Sequence, residues 1–207
     1  MNFSRIVAVG AHPDDIEPQI GGTLLKYAAL GSEVTLVNCT DTGTAARSSR
    51  QRQIEAESAA KILGVDYHNL NIPQSDFAFN RLNIQYVESI ITKLQPTFVF
   101  TMSRDDSHND HQTINSIIKS VGRKNTFSIA SLGQALPGGI NTSKLNMFID
   151  ISEQFETKIN SINCYTSQIE KFGENWLEAI ENRDKYYGFQ IGVRYAEAAK
   201  IEKCILI

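Results

Sequence analysis

Short apolar runs rich in β-branched residues, separated by amphipathic stretches of helical length, constrain this chain more than any other feature. Ile6-Val7-Ala8-Val9-Gly10, Val34-Thr35-Leu36-Val37-Asn38-Cys39 and Thr97-Phe98-Val99-Phe100-Thr101-Met102 read as buried strands. Helices are predicted over Ile20–Leu30, closed by Gly31, over Ser48–Leu63, with Ser49 as a cap and Gly64 as a stop, and over Leu82–Leu94, ended by Pro96. A further strand is expected over Asp66–Leu70. Strands alternating with helices through short connections imply a parallel sheet with right-handed crossovers. The expected fold class is α/β: a Rossmann-like, mostly parallel sheet flanked by helices, in a single domain over 1–207. No GxGxxG follows the first strand, so dinucleotide binding is not indicated. Further on, the pattern predicts a helix from Gln112 to Val121 and an apolar segment Phe127–Leu132. A turn at Pro137-Gly138-Gly139, a strand Met147–Ile151, mostly helix to Asp184 and a closing strand within Tyr195–Ile207 complete it.

In such a sheet the loops at the carboxyl ends of the strands share one rim, where ligands bind. The first of these loops is Ala11-His12-Pro13-Asp14-Asp15. A histidine and two adjacent carboxylates are costly to gather unless positive charge sits among them, and a divalent metal would supply it. His12 and Asp15 can both face one ion, since Pro13 stiffens the backbone between them, which leaves Asp14 as a base. The plainer alternative is a turn with an aspartate capping the next helix. The loop after Met102 carries His108 and His111. Three of the four histidines therefore fall at one rim, while His68 is assigned to packing or surface. Two histidines and one carboxylate, with positions left open, match a catalytic zinc site, and Fe(II) or Mn(II) suits the same donors. Water on a catalytic zinc titrates near neutrality, so Asp14 can take its proton. An imidazolium at His108 would stabilise an oxyanion and protonate a leaving amine. Asp105, Asp106 and Asp110 are expected to raise the His108 pKa. This is equipment for hydrolysing a C–N bond.

Composition excludes other classes. The formal net charge is -3 with no dense Lys/Arg run, which argues against a nucleic-acid or acidic-membrane surface. No apolar run approaches the ~20 residues needed to span a bilayer. The first residues lack a signal-peptide pattern, and Cys39, Cys164 and Cys204 show no CxxC spacing. Reduced thiols and a cytoplasmic location are expected. The glycosylation sequons at Asn38 and Asn141 then read as coincidences.

With those residues in view, the chain resembles the PIG-L/LmbE-like zinc-dependent N-deacetylases. The resemblance rests on Ala11-His12-Pro13-Asp14-Asp15, Gly21-Gly22-Thr23-Leu24 and His108-Asn109-Asp110-His111, the last standing where the family has His-Pro-Asp-His. It extends through Arg52-Gln53-Ile54-Glu55, Ala59–Val65, Phe148-Ile149-Asp150-Ile151 and Tyr165-Thr166-Ser167-Gln168. It implies zinc held by His12, Asp15 and His111, Asp14 as general base, and His108 as the charged group beside the oxyanion. It also places Arg52 on the sugar side of the substrate, the alternative being a solvent-facing residue paired with Glu55. Asp76 and Gln168 are weaker candidates. Asn109 departs from the usual proline, and Ile16 stands where many members have Glu, with Glu17 following. Family members act on N-acetylglucosamine units attached to varied carriers. The implied reaction is removal of the N-acetyl group from a small-molecule amino-sugar conjugate, with metal-activated water as nucleophile. A metallophosphoesterase would want more ligands than these two loops offer. A non-catalytic sugar-binding or scaffold subunit would not need Asp14 and His108. A homo-oligomer stays open.

Overall fold

The computed structural model describes residues 1–41, 46–133, 144–173 and 175–206. Five strands run parallel: β1 (Arg5–Gly10), β2 (Glu33–Thr40), β3 (Asp66–Ile72), β4 (Phe98–Thr101) and β5 (Ser128–Leu132). Two more, β6 (Met147–Asp150) and β7 (Ala196–Lys203), extend the sheet, with β7 antiparallel to both its neighbours. The order is β3-β2-β1-β4-β5-β7-β6. This is the expected mostly parallel α/β sheet, and its order reverses between β1 and β4. In open α/β sheets ligands bind at that reversal, outside the carboxyl ends of the strands. The loops after β1 and β4 are the two that carry the candidate residues.

The central strands β1, β2, β4 and β5 are buried on both faces, which is why they read as apolar runs without alternation. Ile6, Val9, Leu36, Phe98 and Phe100 are fully enclosed in the main core. Helices α1 (Glu17–Ala29) and α2 (Ala46–Leu63) connect the first three strands. Helices α3 (Arg81–Leu94) and α4 (Asn109–Gly122) pack against each other and against β1. Helix α5 (Phe155–Ile162) lies on α1 and α2, and α6 (Thr166–Phe172) follows it. Helix α7 (Asn175–Ile191) packs on β6 and β7. Among the described residues, no helix is long and apolar enough to cross a membrane.

Several boundaries differ from the sequence reading, each for a local reason. Helix α2 begins before Ser48, so Ser49 lies inside it and its hydroxyl donates to the Asp41 carbonyl instead of capping. Strand β3 runs on to Ile72, which pairs with Thr40 past an irregularity in the ladder. Helix α4 starts at Asn109, not Gln112: the His108 ring accepts from the Asp110 N–H at 3.1 Å and serves as the N-cap. His111 therefore sits on the first turn of a helix, not in a loop. The predicted glycine turn at 137–139, the Asn141 sequon and most of the loop after Thr40 lie outside the described residues.

Helix α1 starts at Glu17, not Ile20, and is broken within: Ile20 has φ -137° and ψ 19°. The break leaves backbone N–H groups of the second segment without helical partners. Glu197 on β7 supplies them, its two carboxylate oxygens accepting from the Gly22 and Thr23 N–H at 2.9 and 2.6 Å. Lys158 neutralises this buried carboxylate at 2.7 Å and pairs with Asp184 at 2.5 Å. Arg183 bonds Asp184 and reaches the Pro18 carbonyl. The lysine and both acids are fully enclosed. A Cβ on Gly22 would stand 2.9 Å from Ile151, so the Gly21-Gly22 pair admits Ile151 and Lys158 against the helix.

Candidate active site

The loop 11–16 leaves β1 through an unusual backbone. Asp14 has φ 87°, a left-handed conformation that non-glycine residues enter at a cost and that clusters at functional sites. Its effect is to send neighbouring side chains in different directions. Asp15 turns back, accepting from the His12 backbone N–H at 2.7 Å, and lies 3.4 Å from His12 Nδ1 and 3.1 Å from His111 Nε2. Asp14 turns toward α2, where Arg52 donates to it at 2.5 Å and to the Pro13 carbonyl at 2.7 Å. Arg52 thus joins the site and does not pair with Glu55. Glu55 instead accepts from Thr166 and Ser167 at the start of α6.

Helix α4 brings the other half. The three rings of His12, His108 and His111 have ligating nitrogens within 4.8 Å of one another. His111 is held by Asp106, whose Oδ2 is 2.7 Å from Nδ1 while Oδ1 accepts from the His108 backbone N–H at 2.8 Å. A carboxylate on one imidazole nitrogen directs the other toward a bound metal and raises its basicity. His12 Nε2 meets Asp110 at 2.9 Å, and the Gln74 amide donates to the same carboxylate at 3.0 Å. The six residues singled out as metal ligands, catalytic groups or substrate contact are therefore together at one rim. Asp76 and Gln168 do not join the cluster: Asp76 sits beyond Gln74 on a short 3-10 turn, and the Gln168 amide donates to Ser167.

The electrostatics follow from burial and pairing. Burial pushes the Asp14 carboxyl up to about 6, with Arg52 restraining the rise. Burial would do the same to Asp15, but His111 and His12 hold it well below the usual carboxylate range. Burial opposes charge on His12, yet Asp15 and Asp110 outweigh it and bring the ring to about 9. His111 reaches about 10 because Asp15 and Asp106 likewise outweigh its burial. His108 moves the other way: burial and the two neighbouring histidines lower its pKa. The expected elevation fails because Asp106 is spent on His111 and on backbone, and the ring nitrogen Nδ1 is spent as a helix cap. Two buried imidazoles around one buried carboxylate want a shared cation, and the donor set fits a divalent metal.

Residues 7–121, more than half of the chain, match the family described as PIG-L, GlcNAc-PI de-N-acetylase. The chain belongs to the PIG-L family. Diacetylchitobiose deacetylase of Thermococcus kodakarensis is 27% identical over an alignment 223 positions long that covers 96% of this chain and 83% of that protein. The structure of N,N'-diacetylchitobiose deacetylase from Pyrococcus horikoshii superposes with a TM-score of 0.82 at 26% identity, covering 97% of this chain and 84% of the other. The structure of GalB, the 4-carboxy-2-hydroxymuconate hydratase of Pseudomonas putida, also gives 0.82, at 19% identity over 99% and 98%. That likeness shows the fold alone; a shared fold hosts different reactions, so function rests on the site.

Some members of this PIG-L site were not legible from spacing. In the sequence Asp106 and Asp110 stand out only as charges near His108; in the fold they are the partners of His111 and His12. Gln74 arrives from the turn after edge strand β3, two strands along the same rim, with no motif. Glu17 is fully buried, receives the Tyr165 hydroxyl, and is pushed by burial to about 7. A glutamate just after a metal-loop pattern is the one signal that could have pointed to it.

Proposed function

We propose that this protein is a metal-dependent hydrolase that removes the N-acetyl group from an N-acetylglucosamine-type conjugate. The observation that carries the reading is the division of labour in 12–15: Asp15 faces two imidazoles while Asp14, one residue away, faces an arginine and is raised to about 6. A pure binding protein has no use for the second, separately poised carboxylate. Membership of a de-N-acetylase family and the likeness to diacetylchitobiose deacetylases support the substrate class.

His12, Asp15 and His111 would hold the metal, zinc being the first choice and Fe(II) or Mn(II) the others. When bound, the ion supplies Lewis acidity, polarising the acetamide carbonyl and acidifying water. Asp14 accepts the proton of the attacking water and is suited to it near neutrality. Asp106 keeps the His111 ring oriented, and Gln74 with Asp110 does so for His12. His108, with Nδ1 accepting from the helix, presents Nε2–H to the oxyanion as a neutral donor. Arg52 holds Asp14 in place and contacts the sugar side. The amine leaves with a proton returned by Asp14, and acetate is the other product.

The reading is tested by measuring acetate release from a panel of N-acetylglucosaminyl compounds, with added zinc and with chelator. Release that chelator abolishes and zinc restores is expected. Release that is indifferent to chelator, or none from any member of the panel, would sink it.

A further inference from the structure

A groove with a cavity of about 660 Å³ runs between the edge strand β3 and helix α3, outside the cluster just described. Its size is that of a small-molecule site. Tyr86, about half exposed, and Leu82 form an apolar wall along α3. Asn71, Asp76 and Lys93 place amide, carboxylate and ammonium groups around that wall. The groove and the metal cluster share one piece of chain. Pro73 and Asp76 line the groove, while Gln74 between them reaches His12 at 3.3 Å and Asp110 at 3.0 Å. Two hydrogen bonds from the Asn83 amide, to the Asp76 and Ala78 carbonyls, hold this turn to α3. These residues follow β3, so the upper end of the groove opens at the same rim as the site, next along the sheet.

We propose that this groove is a carbohydrate subsite that takes a pyranose ring of the substrate's carrier while the acetamido sugar occupies the metal cluster. The inference rests on the deacetylase reading above. A pyranose has apolar C–H faces and a hydroxyl rim, which suits an exposed tyrosine ring ringed by a carboxylate and an amide. A wholly apolar segment would strip water from Asp76 and Lys93 without pairing them, at a cost. A phosphate-bearing group would meet the Asp76 carboxylate as well as the Lys93 ammonium, so charge gives it no net attraction. A ligand that passes over Gln74 contacts both compartments, so the groove selects for carrier length and leaves the chemical step alone.

Two measurements test this with the intact chain. Cellotetraose, which has no acetamide, is titrated calorimetrically into wild type and into Tyr86→Ala and Asp76→Asn. Each change is expected to weaken binding about tenfold, and unaltered affinity in both overturns the proposal. Acetate release is then followed for N-acetylglucosamine as a simple glycoside and as a β-linked tetramer. Tyr86→Ala should raise KM for the tetramer, leave KM for the simple glycoside unchanged and spare kcat; an equal change for both substrates overturns it. If neither compound releases acetate while cellotetraose binding still depends on Tyr86, the deacetylase reading falls and the subsite stands. Sedimentation of the same variant closes the remaining route: conversion of an oligomer to monomer would make the groove a subunit interface and overturn the proposal.

Discussion

Asp14 and Asp15 are adjacent, equally acidic in isolation, and opposed in the folded chain. Burial lifts Asp14 to about 6, whereas two imidazoles hold Asp15 down. Asp14→Asn should therefore keep the metal and lose about 10²–10⁴-fold in kcat, because an amide accepts no proton. Asp15→Asn should lose the metal instead. Metal content and turnover measured on both variants decide it, and exchanged phenotypes would reverse the two roles. His108 carries a double duty that separates by substitution. His108→Ala removes a helix cap as well as the ring and should cost about 1 kcal/mol of stability. His108→Asn keeps a capping oxygen, so it should restore the melting temperature and leave kcat as low as in the alanine variant. Equal kcat in His108→Asn and wild type would remove the ring from the reaction.

At the scale of elements, the loop 11–16 is only as fixed as the helix it feeds. Helix α1 is interrupted at Ile20, and its second segment is capped from across the molecule by Glu197. Glu197→Ala strands two backbone donors and leaves Lys158 to Asp184 alone, in a place with no solvent. Removing one partner of a buried ion pair costs roughly 3–5 kcal/mol. Urea unfolding should show a loss of that size, together with weaker metal binding, since Arg183 in the same network grips the Pro18 carbonyl. A loss under about 1 kcal/mol, ordinary for surface substitutions, would mean that solvent replaces the cap.

For the whole molecule, protons would compete with the proposed metal for one site. His12 and His111 have folded pKa values of about 9 and about 10, above the 6.5 of a free imidazole. Raised values stabilise the metal-free fold fully below pH 6.5, and this contribution is lost as pH rises through 9 to 10. A metal held by His12 and His111 would need both rings neutral, so its binding would expel protons and tighten until pH passes through 9 to 10. Calorimetry of zinc binding in buffers of differing ionisation enthalpy should show net proton release at pH 7. A heat that does not vary with buffer would show the rings already neutral in the metal-free protein. Added metal at a hundred times its Kd should raise stability by about 2.7 kcal/mol by mass action.

The periodicities that named the parallel sheet were legible in the chain because a strand buried on both faces must be continuously apolar, and a crossover helix must be amphipathic. The short-range clusters were legible too: 12–15 and 108–111 hold their ligands within one turn of chain, and β1 and β4 lie side by side where the order reverses. What tertiary structure alone decided involves partners far apart in sequence. Gln74 lies 62 residues from His12, and Glu197, 175 from Gly22, supplies the acceptors for the N–H groups that follow the kink at Ile20. The direction of the His108 shift belongs to the same class. Sequence placed three aspartates near the ring, but hydrogen bonds spent two of them on other rings, and burial then outweighed charge. Local pattern reports which residues can face one another along an element; whether a charge is buried, and what it is paired with, is fixed by the packing of elements that the chain brings together only when folded.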